Sequence, residues 1–206
     1  IGAQYHIIMK PQAALTIGAV YDFGGELKAK TKHFVSSNNI YGDTVKMTQG
    51  VSPIALPRSV SAGIYFHSSK WVAGFDYVYQ DWKSKNEYDA VNQVGYNNTH
   101  TYKLGLQFTP NRGDVRNILN RWSYRLGARY GQSYMTFRGT KLPEMALTLG
   151  IGMPIKLFGT SSIDVGIELG RRGTLSNSLV RDNYFKISIG MAMFGEDYWF
   201  ARYKID

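Results

Sequence analysis

Cysteine is absent from the 206 residues. That removes disulfides, thiolate metal ligands and a cysteine nucleophile, and it suits a periplasm-facing protein. No apolar run approaches the roughly 18 residues a membrane helix requires. An inner-membrane helix bundle is thereby excluded, but a β-barrel is not, because its signal is alternation rather than runs. The four histidines, His6, His33, His67 and His100, lack metal-ligand spacing, and neither a nucleophile elbow nor a phosphate-cradling loop is present. No metal, cofactor or catalytic residue is therefore expected; only a Ser–His pair in a barrel wall would escape notice, since it has no local signature. Acidic residues are in the minority, 15 Asp and Glu against 24 Lys and Arg, for a formal charge of +9. The basic residues are spread through strands and loops, with no basic helix, so nucleic acid is not an expected partner and anionic lipid headgroups are. The first residue is Ile and no signal peptide is visible, so the start is expected to have been removed by processing or truncation.

What the chain has in quantity is glycine (22 residues), tyrosine (15) and a period of two. Val60, Ala62, Ile64 and Phe66 alternate with small or polar residues, and after HSSK the pattern resumes at Trp71, Ala73, Phe75, Tyr77 and Tyr79. This predicts a hairpin in which Phe66 meets Trp71, Ile64 meets Ala73, Ala62 meets Phe75 and Gly63 meets Gly74. Similar stripes run through Ala3–Met9, Ala13–Phe23, Tyr102–Phe108, Trp122–Tyr130, Met145–Met153, Ile163–Leu169 and Phe185–Met193, giving nine strands before Gly195. No segment has helical periodicity, although Asp114–Trp122 has room for a single turn. The expected fold is all-β, an antiparallel meander forming a transmembrane barrel over residues 1–194. Residues 195–206 form either a periplasmic tail or a tenth strand.

Short links at Lys10–Gln12, His67–Lys70, Pro110–Asn120 and Lys156–Ser161 are expected on the periplasmic side, and longer polar ones outside. On this scheme the stretches Gln12–Lys32, Trp71–Glu87 and Trp122–Arg138 are long outward strands, and Arg138–Pro143 is unusually short for an outer loop. Trp71 and Tyr79, like Trp122 and Tyr130, stand eight residues apart on one stripe, as in two aromatic girdles. A soluble sandwich also alternates. The second face favours a barrel: Gly18, Gly63, Gly74, Gly105, Gly127, Gly150, Gly166 and Gly190 share it with Asp76, Lys103, Arg125, Arg129, Asp164, Glu168 and Lys186. Glycines weaken a strand, so their number fits a polar lumen that something must approach closely. Lys103, Arg125, Arg129 and Asp76 are its ligand candidates: the cations either hold a carboxylate ligand or make structural pairs with lumen carboxylates. Lys28, Lys30 and Lys32 alternate along ELKAKTK and are candidates for lipopolysaccharide phosphates, with a merely solvated face as the other reading.

The segment LPRSVSAGIYFHSSKWVAGFDYVYQDWKS (Leu56–Ser84) resembles FadL/TodX-type outer-membrane transporters, with a Pro before a strand, a tight turn followed by Trp, and an Asp-Trp strand end. YRLGARY (Tyr124–Tyr130) resembles that family's R-x-G-x-x-Y strand, and the stretch from GIELGRRG to ARYKID resembles a Bacteroidetes-type branch. The resemblance implies the last nine strands of a fourteen-stranded barrel in the cell outer membrane. It also implies passive uptake of hydrophobic small molecules such as long-chain fatty acids, gated by an N-terminal hatch this chain does not contain. The alternative is a non-transporting barrel that serves as a structural subunit of an outer-membrane secretion or assembly complex, with other outer-membrane proteins as partners.

Overall fold

The computed structural model describes residues 1–36, 44–83, 94–155 and 161–192. The strands are β1 (Gly2–Lys10), β2 (Ala13–Asp22), β3 (Gly25–Ser36), β4 (Thr44–Leu56), β5 (Arg58–His67), β6 (Trp71–Asp81), β7 (Val94–Tyr96), β8 (Thr99–Phe108), β9 (Ser123–Phe137), β10 (Thr140–Ile155), β11 (Ser161–Gly173) and β12 (Arg181–Ala192). Nine of them form an antiparallel path in the order β1-β2-β5-β6-β8-β9-β10-β11-β12, and β7 adds to the far end of β9. Among the described residues this sheet is not closed: β1 and β12 are its edges. The reading of 195–206 as a tail or tenth strand lies outside the described residues.

The turns follow their chemistry. Pro11 and Gln12 form the two-residue tip between Lys10 and Ala13. At Arg138–Gly139 both φ angles are positive (50° and 71°), as a type I′ hairpin requires, so the expected outer loop is a tight turn between Phe137 and Thr140. A 3-10 turn at Ile118–Arg121 fills the expected single turn.

The hairpin register and the extent of one strand differ from expectation. The β5–β6 hairpin pairs Phe66 with Ala73, Ile64 with Phe75, Ala62 with Tyr77 and Gly63 with Asp76, two residues from the expected register. The Ser68 amide donates to the Trp71 carbonyl (2.7 Å), and the Trp71 amide donates to the Ser68 hydroxyl (3.1 Å). The tip is thus Ser69–Lys70 alone, and the turn chemistry overrides the aromatic match. A shift of two keeps every side chain on its face. Second, Gln12–Lys32 is not one strand. Gly24, at φ +72°, breaks it, and β3 pairs with β4 in a separate two-stranded sheet while β2 pairs directly with β5.

Among the described residues the sheet is a single layer, and its apolar side has no protein cover. Ala146 is the one buried hydrophobic residue among those described, while Leu104 is 58% exposed and Ile189 77%. On that side two aromatic rows lie in register across three strands. Trp71, Phe108 and Tyr124 make one row, and Tyr77, Tyr102 and Tyr130 the other. They are six residues apart on each strand, about 20 Å along it. The expected eight-residue spacing is corrected by the register: Trp122 precedes β9, and Tyr79 lies opposite His100.

Candidate functional site

The other side of the sheet carries the polar groups, and the ladder stacks them in rows. One row runs Gly63, Asp76, Lys103, Arg129, Ala146, Gly170, Tyr184 from β5 to β12. The next runs Tyr65, Gly74, Gly105, Gly127, Thr148, Glu168, Lys186, and a third includes Gln107, Arg125, Gly150, Gly166 and Ser188. Tyr65, Gly105, Arg125, Thr148, Gly166 and Ser188 all line a single groove of about 730 Å³. Side chains from β5 and β12 can share a groove only if the sheet curls toward this face. A second hollow, of about 810 Å³, lies over β1, β2 and β5 and reaches Asp76 and Lys103.

Arginines on β9 strap across β10 to carboxylates on β11. Arg125 Nη1 meets Asp164 Oδ1 at 2.6 Å, and its Nε donates to Gln107 Oε1 at 2.9 Å. Four residues on, Arg129 Nη2 lies 3.6 Å from Glu168 Oε1 and donates to the Tyr184 hydroxyl at 3.3 Å. Tyr184 in turn donates to Glu168 at 2.7 Å. Both straps need a low β10. Beneath the straps its residues on this face are Ala146, Thr148, Gly150 and Gly152, and a Cβ on Gly152 would stand 2.7 Å from Asp164 Oδ1. Likewise a Cβ on Gly170 would run into the Tyr184 ring. Gly105 and Gly190 differ: a Cβ there would meet nothing within 4 Å, so open space lies above the groove floor.

The four lumen candidates therefore share one face but do not converge on one point. Arg125 and Arg129 make ion pairs, as the structural reading of these cations expects, while Lys103 stands between Asp76 and Arg129 in register. Lys28, Lys30 and Lys32 lie on β3 opposite Pro53, Val51 and Gln49, away from the main sheet, and Lys28 and Lys30 are exposed. Tyr184 escaped the sequence reading, although it shares the parity of Lys186. Arg112 and Arg121 escaped too, because Pro110–Asn120 read only as a link and Asp114–Trp122 only as room for a single turn.

That link is ordered. Asp114 accepts from the Arg116 and Asn117 amides (2.9 and 3.0 Å) and from Asn120 Nδ2 (2.6 Å). The Asn120 bond first, then the two amides, hold its carboxyl below the usual carboxylate range, and the nearby Arg121 charge acts in the same direction.

A family model described as BamG matches residues 1–206, the whole chain. The chain belongs to the BamG family. No curated protein matches it. The family relates to the outer-membrane assembly machinery, which puts the chain at the outer membrane or its periplasmic face, in association with other outer-membrane proteins. This corrects the FadL/TodX resemblance and, with it, the expected uptake of fatty acids and other hydrophobic compounds. The motifs behind the resemblance were a Pro before a strand, a Trp after a tight turn and R-x-G-x-x-Y. Alternating strands with an aromatic edge produce all three whatever the barrel does, so they carry no information about cargo.

Proposed function

We propose that this chain is a non-enzymatic, membrane-spanning β-barrel subunit of an outer-membrane protein assembly complex. The family match over residues 1–206 carries the assembly role. The membrane-spanning part rests on the uncovered apolar face. A sandwich buries such a face against a second sheet, whereas here Leu104, Leu149, Ile187 and Ile189 are more than half exposed on that face. Lipid is the solvent that makes that arrangement favourable. In this setting the lumen cations are braces of the wall, and Lys28 and Lys30 present their ammoniums to lipopolysaccharide phosphates beyond the sheet.

The test is isolation of the tagged chain from outer membranes after cross-linking, together with its depletion. An assembly subunit is recovered with other outer-membrane proteins, and its loss lowers the amount of folded, heat-modifiable barrels. Recovery alone, with barrel levels unchanged on depletion, would contradict the proposal.

A further inference from the structure

At the turn end of β8–β11 a pocket of about 340 Å³ opens on the polar face, lined among others by Arg112, Arg121, Arg125, Gln107 and Ser123. Three guanidinium groups in one pocket repel unless anions offset them. Arg125 has its anion in Asp164. Arg112 and Arg121 make no ion pair among the described residues, and Nε of Arg121 is buried without a hydrogen-bond partner. The one acidic residue of the link, Asp114, is tied up by hydrogen bonds within the loop and acts on Arg121 only through its charge, so one carboxylate faces the two unpaired guanidinium groups. Two neighbouring guanidinium charges without an ion pair repel, and an oxyanion entering the pocket offsets them.

The pocket continues into the large groove, because Gln107 and Arg125 line both. Gly74, Gly105 and Gly127 stand in register on the groove floor; Thr148 covers Gly127 and the Tyr65 ring borders Gly74, while the space over Gly105 is open. At Gly105 the floor admits a main chain at close range. A lipid phosphate does not fit the site, since it lies on the face opposite the exposed apolar stripes.

We propose that this end of the polar face is a docking site for an extended, acidic segment of a partner protein. Arg112 and Arg121 take a carboxylate at the mouth, and the segment's main chain lies over the glycine floor. The exclusion of a lipid phosphate and the partner's membership of the assembly complex rest on the functional reading above.

The test uses the full chain in detergent micelles and a fluorescein-labelled dodecapeptide of Asp and Ser, with its Asn-for-Asp counterpart as control. The Asp peptide binds, the Asn peptide binds at least tenfold more weakly, and Arg112→Gln with Arg121→Gln lowers Asp-peptide affinity tenfold or more. Gly105→Leu, which fills the floor and leaves the arginines in place, weakens binding as well; circular dichroism verifies that each variant keeps its β structure. Equal binding of both peptides, unchanged affinity in the arginine double variant, or displacement by inorganic phosphate at concentrations equal to the peptide's own would overturn the proposal. Those failures leave co-purification with outer-membrane proteins untouched, whereas failure of the assembly reading shows there and not in peptide binding.

Discussion

The Arg125–Asp164 strap reports how wet the polar face is. At 2.6 Å, two unit charges attract by about 1.6 kcal/mol in bulk water, and by about 6 kcal/mol at an effective dielectric constant near 20. The side chains are 44% and 31% exposed, so water screens them toward the lower figure. Ordering two flexible side chains costs on the order of 1 kcal/mol. The net coupling is then about 0.5 kcal/mol, in the range of exposed pairs. The assay is a double-mutant cycle of Arg125→Ala and Asp164→Ala, read by urea unfolding in lipid vesicles at low and high salt. Gln107 and Ser162 also bind the pair, at 2.9 and 3.2 Å, and the cycle cancels those contacts. Coupling of about 0.5 kcal/mol that shrinks with salt is the expected result. A salt-insensitive value above about 2 kcal/mol would mean a dry, filled interior, contrary to a wet polar face.

Three further outcomes follow from the geometry. Leu104→Arg, one residue from the midpoint between Tyr102 and Phe108, costs about 2–4 kcal/mol in vesicles; Gly105→Ser, facing open space one residue on, leaves vesicle stability within about 0.5 kcal/mol. Gly24→Ala costs about 1–2 kcal/mol in the same unfolding assay, since Gly24 has φ +72° and a Cβ would lie 2.7 Å from the Leu56 carbonyl oxygen. Asp114 has a depressed pKa, so its ordering of the link is fully present above the unfolded value of 3.8 and is lost as pH falls through the lower folded value. Protection of the Arg116 and Asn117 amides from exchange, taken relative to the intrinsic rate at each pH, falls with that loss, and Asp114→Asn removes this step in protection.

Sequence alternation revealed the strands of the main path because a single-layer sheet gives each residue one of two environments, and period two is their direct image. It assigned faces even where it missed register, as at Phe66, because a two-residue slip preserves parity. It missed β3–β4 as a hairpin of its own: ELKAKTK and TVKMTQG alternate in charge and polarity, without the apolar stripe that a membrane or core imposes. The straps from Arg125 and Arg129 were half legible. The charges could be placed on one face, but which carboxylate each arginine reaches depends on the low profile of Ala146, Gly150 and Gly152 on the strand between. The pocket at Arg112 and Arg121 was illegible, because it arises only when the link folds over the sheet end. Cargo and partners left no mark on the alternation, which is why a resemblance built on it pointed to the wrong family.

Because the chain lacks cysteine, single Cys substitutions at Leu147, Thr148, Leu149, Gly150 and Ile151 can each carry a nitroxide in vesicles without background. Collision with oxygen, which partitions into lipid, and with a water-soluble nickel complex then reads the environment of each side of β10. Oxygen accessibility is expected to peak at 147, 149 and 151 and nickel accessibility at 148 and 150. Uniform nickel accessibility, or protection of both sets from both reagents, would contradict a sheet with lipid on one face and an aqueous lumen on the other.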